Sequence, residues 1–514
     1  MQQSQQTAVA GGLNIESSRG AWVGAADAYA GEVAYVDATL GPLLDLARRS
    51  TRKTTIVVTA DHGEGLGDHG EPTHGVFAYE STLRVPLILA QTGPGVVERV
   101  DSVTSDVPVR HVDILPTIAD LTLLDIPTDL PGRTLLAARY GEEDPRPTYF
   151  EAMTAMLKRG WAPLRGVIVD RHKYIDLPLE ELYDLASDTA ESQNLAASAA
   201  DRARTLAARL NGFGATLPGE QGQENAETRL RLQSLGYVSG SSPRKALYGE
   251  GDDPKRLIDV DRLMIQGIEL HRAGRTADAV AAYRQVIARR PDMGLGYRRL
   301  SFIQWESGAT ADAIATLRHA LAKNGPDIEI EIRLATYLAE TGTPDLALPM
   351  LERVVTAEPD NVDALNALGI AQARGGHDRN AIRTFERILA IDSRNVFALE
   401  NLGAVHLQRK DMRAAADAFT RAIAHDPRSS RAEAGLGVVA LQEGRQDVAI
   451  EHWRRAVDLD RTNFDALFNL ATELVNAGRS GEARPYLERF VRTAPPALYG
   501  LEIQRLRGAL SGVR

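Results

Sequence analysis

Asn361 to Arg394 reads NVDALNALGIAQARGGHDRNAIRTFERILAIDSR, and the pattern of this stretch returns every 34 residues through the second half of the chain. Its Gly376 aligns with Gly274, Gly308, Gly342, Gly444 and Gly478, and Lys410 stands once in the same place. Five residues after each comes an alanine: Ala279, Ala313, Ala347, Ala381, Ala415, Ala449 and Ala483. Four further on comes a bulky apolar residue, namely Tyr283, Leu317, Leu351, Phe385, Phe419, Trp453 or Leu487. Alanine and bulky residue four apart share one face of a helix. Upstream, Gly267, Ser301, Ala335, Gly369, Gly403, Gly437 and Ala471 are small and let a second helix approach closely. Pro291, Pro359, Pro427 and Pro495 end the second helix of alternate repeats, because proline cannot continue the hydrogen-bond ladder.

With these small, aromatic and proline positions in place, 260–497 resembles the tetratricopeptide (TPR) repeat family, as seven helical hairpins closed by a capping helix over 498–514. One hairpin cannot bury its apolar stripe, so the hairpins stack. The resemblance implies a superhelix whose concave face docks a protein or peptide partner. Specificity is expected on exposed first-helix positions, where Arg298, Arg299, Arg333 and Arg431 contrast with Asp261, Glu329, Asp363 and Asp465. The family's clamp for a peptide carboxylate needs Lys beside Asn, and only Asn401 and Asn469 are found. Arg298, Arg299 and Arg333 form an alternative grip for an acidic segment.

Composition narrows the rest. The 514 residues suffice for two or three domains. A net charge of -10 argues against nucleic acid, whose binding needs a basic surface. With no cysteine, disulfides, thiolate metal sites and a cysteine nucleophile are all excluded within this sequence. Met1 to Gly12 lacks the charged and apolar regions of a signal peptide, and no apolar run reaches about 18 residues. No membrane segment is expected in the sequence as it stands, although its true N-terminus and compartment stay open.

In the first half, Thr54 to Ala60 is β-branched and nearly continuous, as expected of a strand in a parallel sheet buried on both faces. The run ends on Asp61-His62-Gly63-Glu64, the end of a strand where ligand sites gather in α/β folds. Around it, a helix over Tyr35 to Arg48, a strand over Val85 to Ala90, a helix over His111 to Leu123 and a strand over Gly166 to Asp176 give an α/β reading. Asp61 and His62 offer a carboxylate oxygen and an imidazole nitrogen to one divalent metal, a pair better suited to Zn or Mn than to Ca. His69 and His74 follow on the same loop, so that four such groups are expected to converge. An aspartate capping a turn is the plainer alternative.

The wider context is Thr59-Ala60-Asp61-His62-Gly63-Glu64, Gly67-Asp68-His69-Gly70, His74-Gly75, Tyr79-Glu80 and Arg84-Val85-Pro86-Leu87-Ile88. Gly31 to Asp37, His111 to Thr117, Glu181 to Leu185, Glu191 and Asn194 extend it. Together these resemble the C-terminal part of a sulfatase, in the alkaline phosphatase superfamily, from about Tyr29 to Leu195. The resemblance implies a partial alkaline-phosphatase-like sheet domain in which Asp61 and His62 are metal ligands. His74 would then be catalytic, standing where many sulfatases place a Lys against the substrate's anionic group. Many sulfatases have Asn where His62 stands, and His is similar to the branches acting on phosphorus esters. The family's nucleophile motif is not found before Asp61, since Ser17-Ser18-Arg19 lacks its proline. A fragment of a longer enzyme, a remnant, or a site completed by another polypeptide would each explain this.

The expected organisation is a sulfatase-like α/β portion over 1–200, a helical and Gly/Ser/Pro linker over 201–259 including Leu230 to Tyr237 and Ser239 to Ser242, the repeats, and the cap. The expected function is a metal-dependent hydrolase of sulfate or phosphate-type esters tethered to a protein-binding solenoid. A TPR scaffold carrying a catalytically silent sulfatase segment is the alternative.

Overall fold

The computed structural model describes residues 23–94, 96, 104–127, 129–136, 146–214 and 245–512. Met1 to Gly12, Ser17-Ser18-Arg19, Leu230 to Tyr237 and Ser239 to Ser242 lie outside them. The described residues divide into two compact units: those up to Leu295, and those from Gly296 onward.

The first unit opens with α1 (Val23–Arg48), which starts well before the expected Tyr35. Strand β1 (Thr54–Thr59) follows and pairs with β2 (Leu87–Thr92) in antiparallel register, Thr54 opposite Thr92 and Thr59 opposite Leu87. The expected parallel, doubly buried strand is therefore not what forms: β1 is only half-buried, and β2 is its one partner among the described residues. A β-branched run reports a strand without reporting the direction of its neighbour. Strand β2 begins just after Pro86, whose nitrogen has no hydrogen to donate. Between the strands lie the long loop 60–79 and the short helix α2 (Glu80–Leu83). A 3-10 turn, His111–Asp113, leads into α3 (Ile114–Thr122). Buried Asp113 holds that entry by accepting from the Arg110 amide at 3.1 Å, from the Arg110 guanidinium at 3.2 and 3.1 Å, and from the Arg133 amide at 2.9 Å.

A separate antiparallel meander follows, made of β3 (Thr148–Ala152), β4 (Leu164–Val169), β5 (His172–Asp176) and β6 (Glu181–Asp184), with α4 (Thr154–Arg159) after β3. Gly166 to Asp176, expected as one strand, is a hairpin. Asp170 and Arg171 both sit in the left-handed region, at φ 48° and 61°, as a tight two-residue turn requires. Without Asn-Gly or Asp-Gly at the turn, the sequence gives no sign of the reversal. Helix α5 (Ala200–Asn211) lays Ala203, Leu206 and Leu210 against Val167, Tyr174 and Leu182 of the meander. The unit closes with α6 (Pro254–Arg272) and α7 (Thr276–Arg289), where Tyr283 packs on Gly267 and donates to the Met264 carbonyl at 3.0 Å.

The second unit is helical throughout its described residues. Its pairs are α8 (Gly294–Glu306) and α9 (Thr310–Asn324), α10 (Ile328–Glu340) and α11 (Pro344–Ala357), and α12 (Val362–Arg374) and α13 (Asp378–Ile391). Next come α14 (Val396–Gln408) and α15 (Met412–His425), α16 (Ser430–Gln442) and α17 (Gln446–Leu459), and α18 (Phe464–Asn476) and α19 (Ser480–Thr493), closed by α20 (Pro496–Gly512). Helices α11, α15 and α19 each stop two residues short of Pro359, Pro427 and Pro495. Close approach explains the small positions: a methyl added to Gly369 would meet the Phe385 ring at 2.6 Å. The repeated alanines and bulky residues are buried in both units, as the period predicts. Asp261, expected on an exposed groove position, is instead 1% exposed and paired with Arg159.

Candidate active site

The C-terminal end of β1 delivers Asp61 and His62 into the loop 60–79. The Ala60 carbonyl accepts from His111 Nε2 at 2.8 Å, which ties the strand end to the turn before α3. Gly63 is required for proximity, since a Cβ there would lie 2.3 Å from the Ser81 carbonyl oxygen. Its amide donates to the Thr82 carbonyl at 2.8 Å, so α2 fixes the chain just past His62.

Asp61 Oδ1 accepts the His62 amide at 3.0 Å. That backbone hydrogen bond holds the Asp61 carboxyl below its ordinary range, against a smaller opposing effect of desolvation. The carboxylate is exposed and ionised, as a metal ligand must be. His62 Nδ1 lies 2.9 Å from the Gly63 carbonyl oxygen, an atom that can only accept, so Nδ1 carries the proton. In the neutral ring this leaves the Nε2 lone pair free, 3.7 Å from Asp61 Oδ2. Two ligand atoms each about 2.0–2.2 Å from one zinc ion stand roughly this far apart in a tetrahedral shell. Donor type and spacing therefore fit a divalent metal. Donor number does not, because no group of three or more His, Asp or Glu side chains placed to hold a metal occurs among the described residues.

His74 joins this pair. Its ring centroid lies 4.1 Å from that of His62, and its Nδ1 is 2.9 Å from Glu64 Oε2. Glu64 thus orients His74, a role that the sequence reading left unassigned. His69 does not converge. At φ 47° the backbone turns its ring away, to stack 3.6 Å from Tyr79 and to reach the Glu191 carbonyl at 3.1 Å. The expectation of four converging groups is thus corrected to three side chains, Asp61, His62 and His74, with His69 serving the packing.

Two buried ionisable groups support the loop. Glu71, 2% exposed, accepts the amides of Val76 at 2.7 Å and Phe77 at 3.0 Å, and burial pushes its carboxyl up to about 7. Lys173, fully buried, pairs with Glu191 at 2.7 Å and Glu80 at 3.3 Å, and lies 5.2 Å from the Phe150 ring centroid. Burial raises the Glu191 carboxyl, with Lys173 opposing. Nothing in the local sequence of Glu71 or Lys173 marks either, because their environment is assembled by segments far apart in the chain.

Comparison with known proteins identifies what the two halves of the chain resemble. Residues 2–124 match the family model for sulfatases, and 266–327, 332–396 and 398–464 match that for the tetratricopeptide repeat. An uncharacterised sulfatase of Escherichia coli (strain K12) is 31% identical over 31% of this chain and 32% of its own length. A choline-sulfatase of Rhizobium meliloti (strain 1021) is 31% identical over 33% of this chain and 32% of its own. The chain thus spans about a third of the length of the curated relatives it matches. Among solved structures, a tetratricopeptide repeat protein from Parabacteroides merdae ATCC 43184 aligns with 48% of this chain and 98% of its own at 15% identity, with a TM-score of 0.41. The chain therefore joins a segment of the sulfatase family, over residues 2–124, to tetratricopeptide repeats over 266–464.

Proposed function

We propose that this chain carries the C-terminal part of a metal-dependent hydrolase of sulfate or phosphate-type esters, and that its repeats hold a protein or peptide partner. The observation that supports the first part is the meeting of Asp61, His62 and His74 at the end of β1. Asp61 Oδ2 and His62 Nε2 would hold the divalent metal, Zn or Mn rather than Ca, together with ligands from a segment outside the described residues. When bound, such a metal supplies Lewis-acid polarisation of the ester oxygen. His74, whose Nδ1 donates to Glu64, presents its Nε2 to the anionic group of the ester and, when that nitrogen is protonated, would supply both a hydrogen bond and a charge.

A nucleophile-bearing segment must complete the site. An exposed apolar surface is available to receive it: Val33, Val36, Leu43 and Leu46 of α1 are 54%, 52%, 61% and 69% exposed, and Ile88 of β2 is 56% exposed. The test is turnover of an aryl sulfate and of an aryl phosphodiester with Zn or Mn, by this chain alone and by this chain supplied with the remaining two-thirds of a sulfatase-family domain. Hydrolysis that requires the added segment and is lost in Asp61→Ala supports the reading. Hydrolysis indifferent to Asp61→Ala contradicts it.

In the repeats, Arg298, Arg299 and Arg333 favour an acidic partner segment. Burial brings the Arg298 guanidinium down to about 10, Asp327 opposes this, and the charges of Arg333 and Arg299 push the same way as burial, so the three arginines are close enough to repel. Arg298 pairs with Glu329, whereas Arg299 and Arg333 have no ion pair among the described residues. A carboxylate-rich strand laid across these helices would relieve that repulsion.

A further inference from the structure

We infer that α6, the first helix of the repeat array, is the floor on which the loop 60–79 is set, with Arg262 and Lys255 as positioning residues for that loop. The consequence for catalysis rests on the reading above, but the positioning itself does not.

Helix α6 is fastened to the sulfatase-like segment over its first half. At its start, the fully buried Asp253 uses both oxygens: Oδ1 accepts the Lys255 amide at 2.9 Å as the helix cap, and Oδ2 accepts the Leu179 amide from the β5–β6 connection at 2.8 Å. The Ala162 amide donates to the Asp252 carbonyl at 2.9 Å. Lys255 Nζ then pairs with buried Glu181 at 3.0 Å, and the same carboxylate accepts the Tyr79 hydroxyl at 3.0 and 3.1 Å. Tyr79 carries the stacked ring of His69. From Lys255 to the loop, each link is therefore a buried polar contact or a ring face.

A second tie reaches the loop directly. Arg262 Nε donates to the Gly70 carbonyl at 3.0 Å, and a Cβ on Gly70 would come within 2.8 Å of the same guanidinium. One residue further along the loop, Glu71 holds the amides of Val76 and Phe77, two and three residues past His74. A third tie, Arg159 to Asp261, removes from solvent a first-helix position that could otherwise meet a partner. Lys255 and Arg262, two turns apart on one face of α6, tie the helix to the loop at two points, and Asp261 ties it to α4. The first hairpin thus serves the sulfatase-like segment, and the surface left for a partner lies on the later repeats.

The test uses the full chain and no substrate. Hydrogen exchange is measured for peptides covering 60–79, where Gly65 donates to Thr73 at 2.7 Å and Gly67 to Glu71 at 2.8 Å. In Arg262→Ala and Lys255→Met these amides should exchange at least about tenfold faster, with peptides from 296–493 unchanged and with Arg262→Lys restoring part of the protection. Arg256→Ala, on the same helix, breaks only an exposed pair with Glu250 of the preceding turn and should leave the loop at its native rate. A spectroscopic signature goes with it: the ring-proton signals of His62 and His74, assigned with His74→Gln, should move in Arg262→Ala as their 4.1 Å contact opens. Native loop exchange and unmoved signals in Arg262→Ala and Lys255→Met would overturn the inference, as would an equal effect of Arg256→Ala. Absence of ester hydrolysis would bear on the proposed function alone.

Discussion

Glu71 offers the sharpest test of how the candidate loop is held. Its carboxyl is 2% exposed and its pKa is pushed up to about 7 from the ordinary 4.5, chiefly by desolvation, with the Val76 and Phe77 amides opposing. A carboxyl whose pKa is raised on folding binds more protons folded than unfolded, so stability is highest below about 4.5 and falls as pH rises to about 7. At 1.36 kcal/mol per unit, the loss over that window is about 3 kcal/mol, the opposing effect of the two amides included. Glu71→Gln removes the titration and keeps one of the two amide contacts, since its Nε2 cannot accept. Urea unfolding of the first unit, followed by the fluorescence of Trp161 with Trp22, Trp305 and Trp453 replaced by Phe, should therefore show stability falling between pH 4.5 and 7 and a flatter profile when Glu71→Gln is added. Parallel pH profiles for the two proteins would refute the burial argument.

Other expectations are smaller in scope. Lys410 sits at φ 60° where the equivalent turns of the other repeats have glycine, and its exposed side chain makes no recorded contact, so Lys410→Gly should raise stability by about 0.5–1 kcal/mol in thermal unfolding. Glu191→Ala leaves Lys173 partly uncompensated in the core and should cost about 3–5 kcal/mol, whereas the pair Lys173→Met with Glu191→Gln should recover much of that loss; equal destabilisation in denaturant melts would count against a buried ion pair. Arg299→Glu with Arg333→Glu should weaken binding of a fluorescent oligoglutamate peptide at least about tenfold at low salt, and an unchanged affinity would remove the acidic partner.

The repeats were legible because their information is local and periodic. A glycine every 34 residues, an alanine and a bulky residue four apart, and a proline two residues past the helix end each act within one hairpin, so position predicts contact. The strand before Asp61 was legible for the same reason. The antiparallel pairing of β1, the reversal at Asp170-Arg171 and the burial of Asp261 were not, because each depends on a partner far along the chain. At the candidate site, the strand end pointed to Asp61 and His62, and the resemblance to sulfatases singled out His74. Sending His69 to Tyr79 took a left-handed residue that no local pattern demanded.

Metal binding by Asp61 and His62 decides between a hydrolase site and a capped turn. Titration calorimetry of Zn and of Mn into the full chain, the Asp61→Ala variant and the His62→Ala variant measures this directly. The geometry predicts weak uptake by the native chain, because two protein donors leave water in the other positions, with uptake falling as acid protonates the imidazole and lost in either variant. Equal heats for the native chain and His62→Ala would contradict it and would return Asp61-His62-Gly63 to a capped turn at the end of a strand.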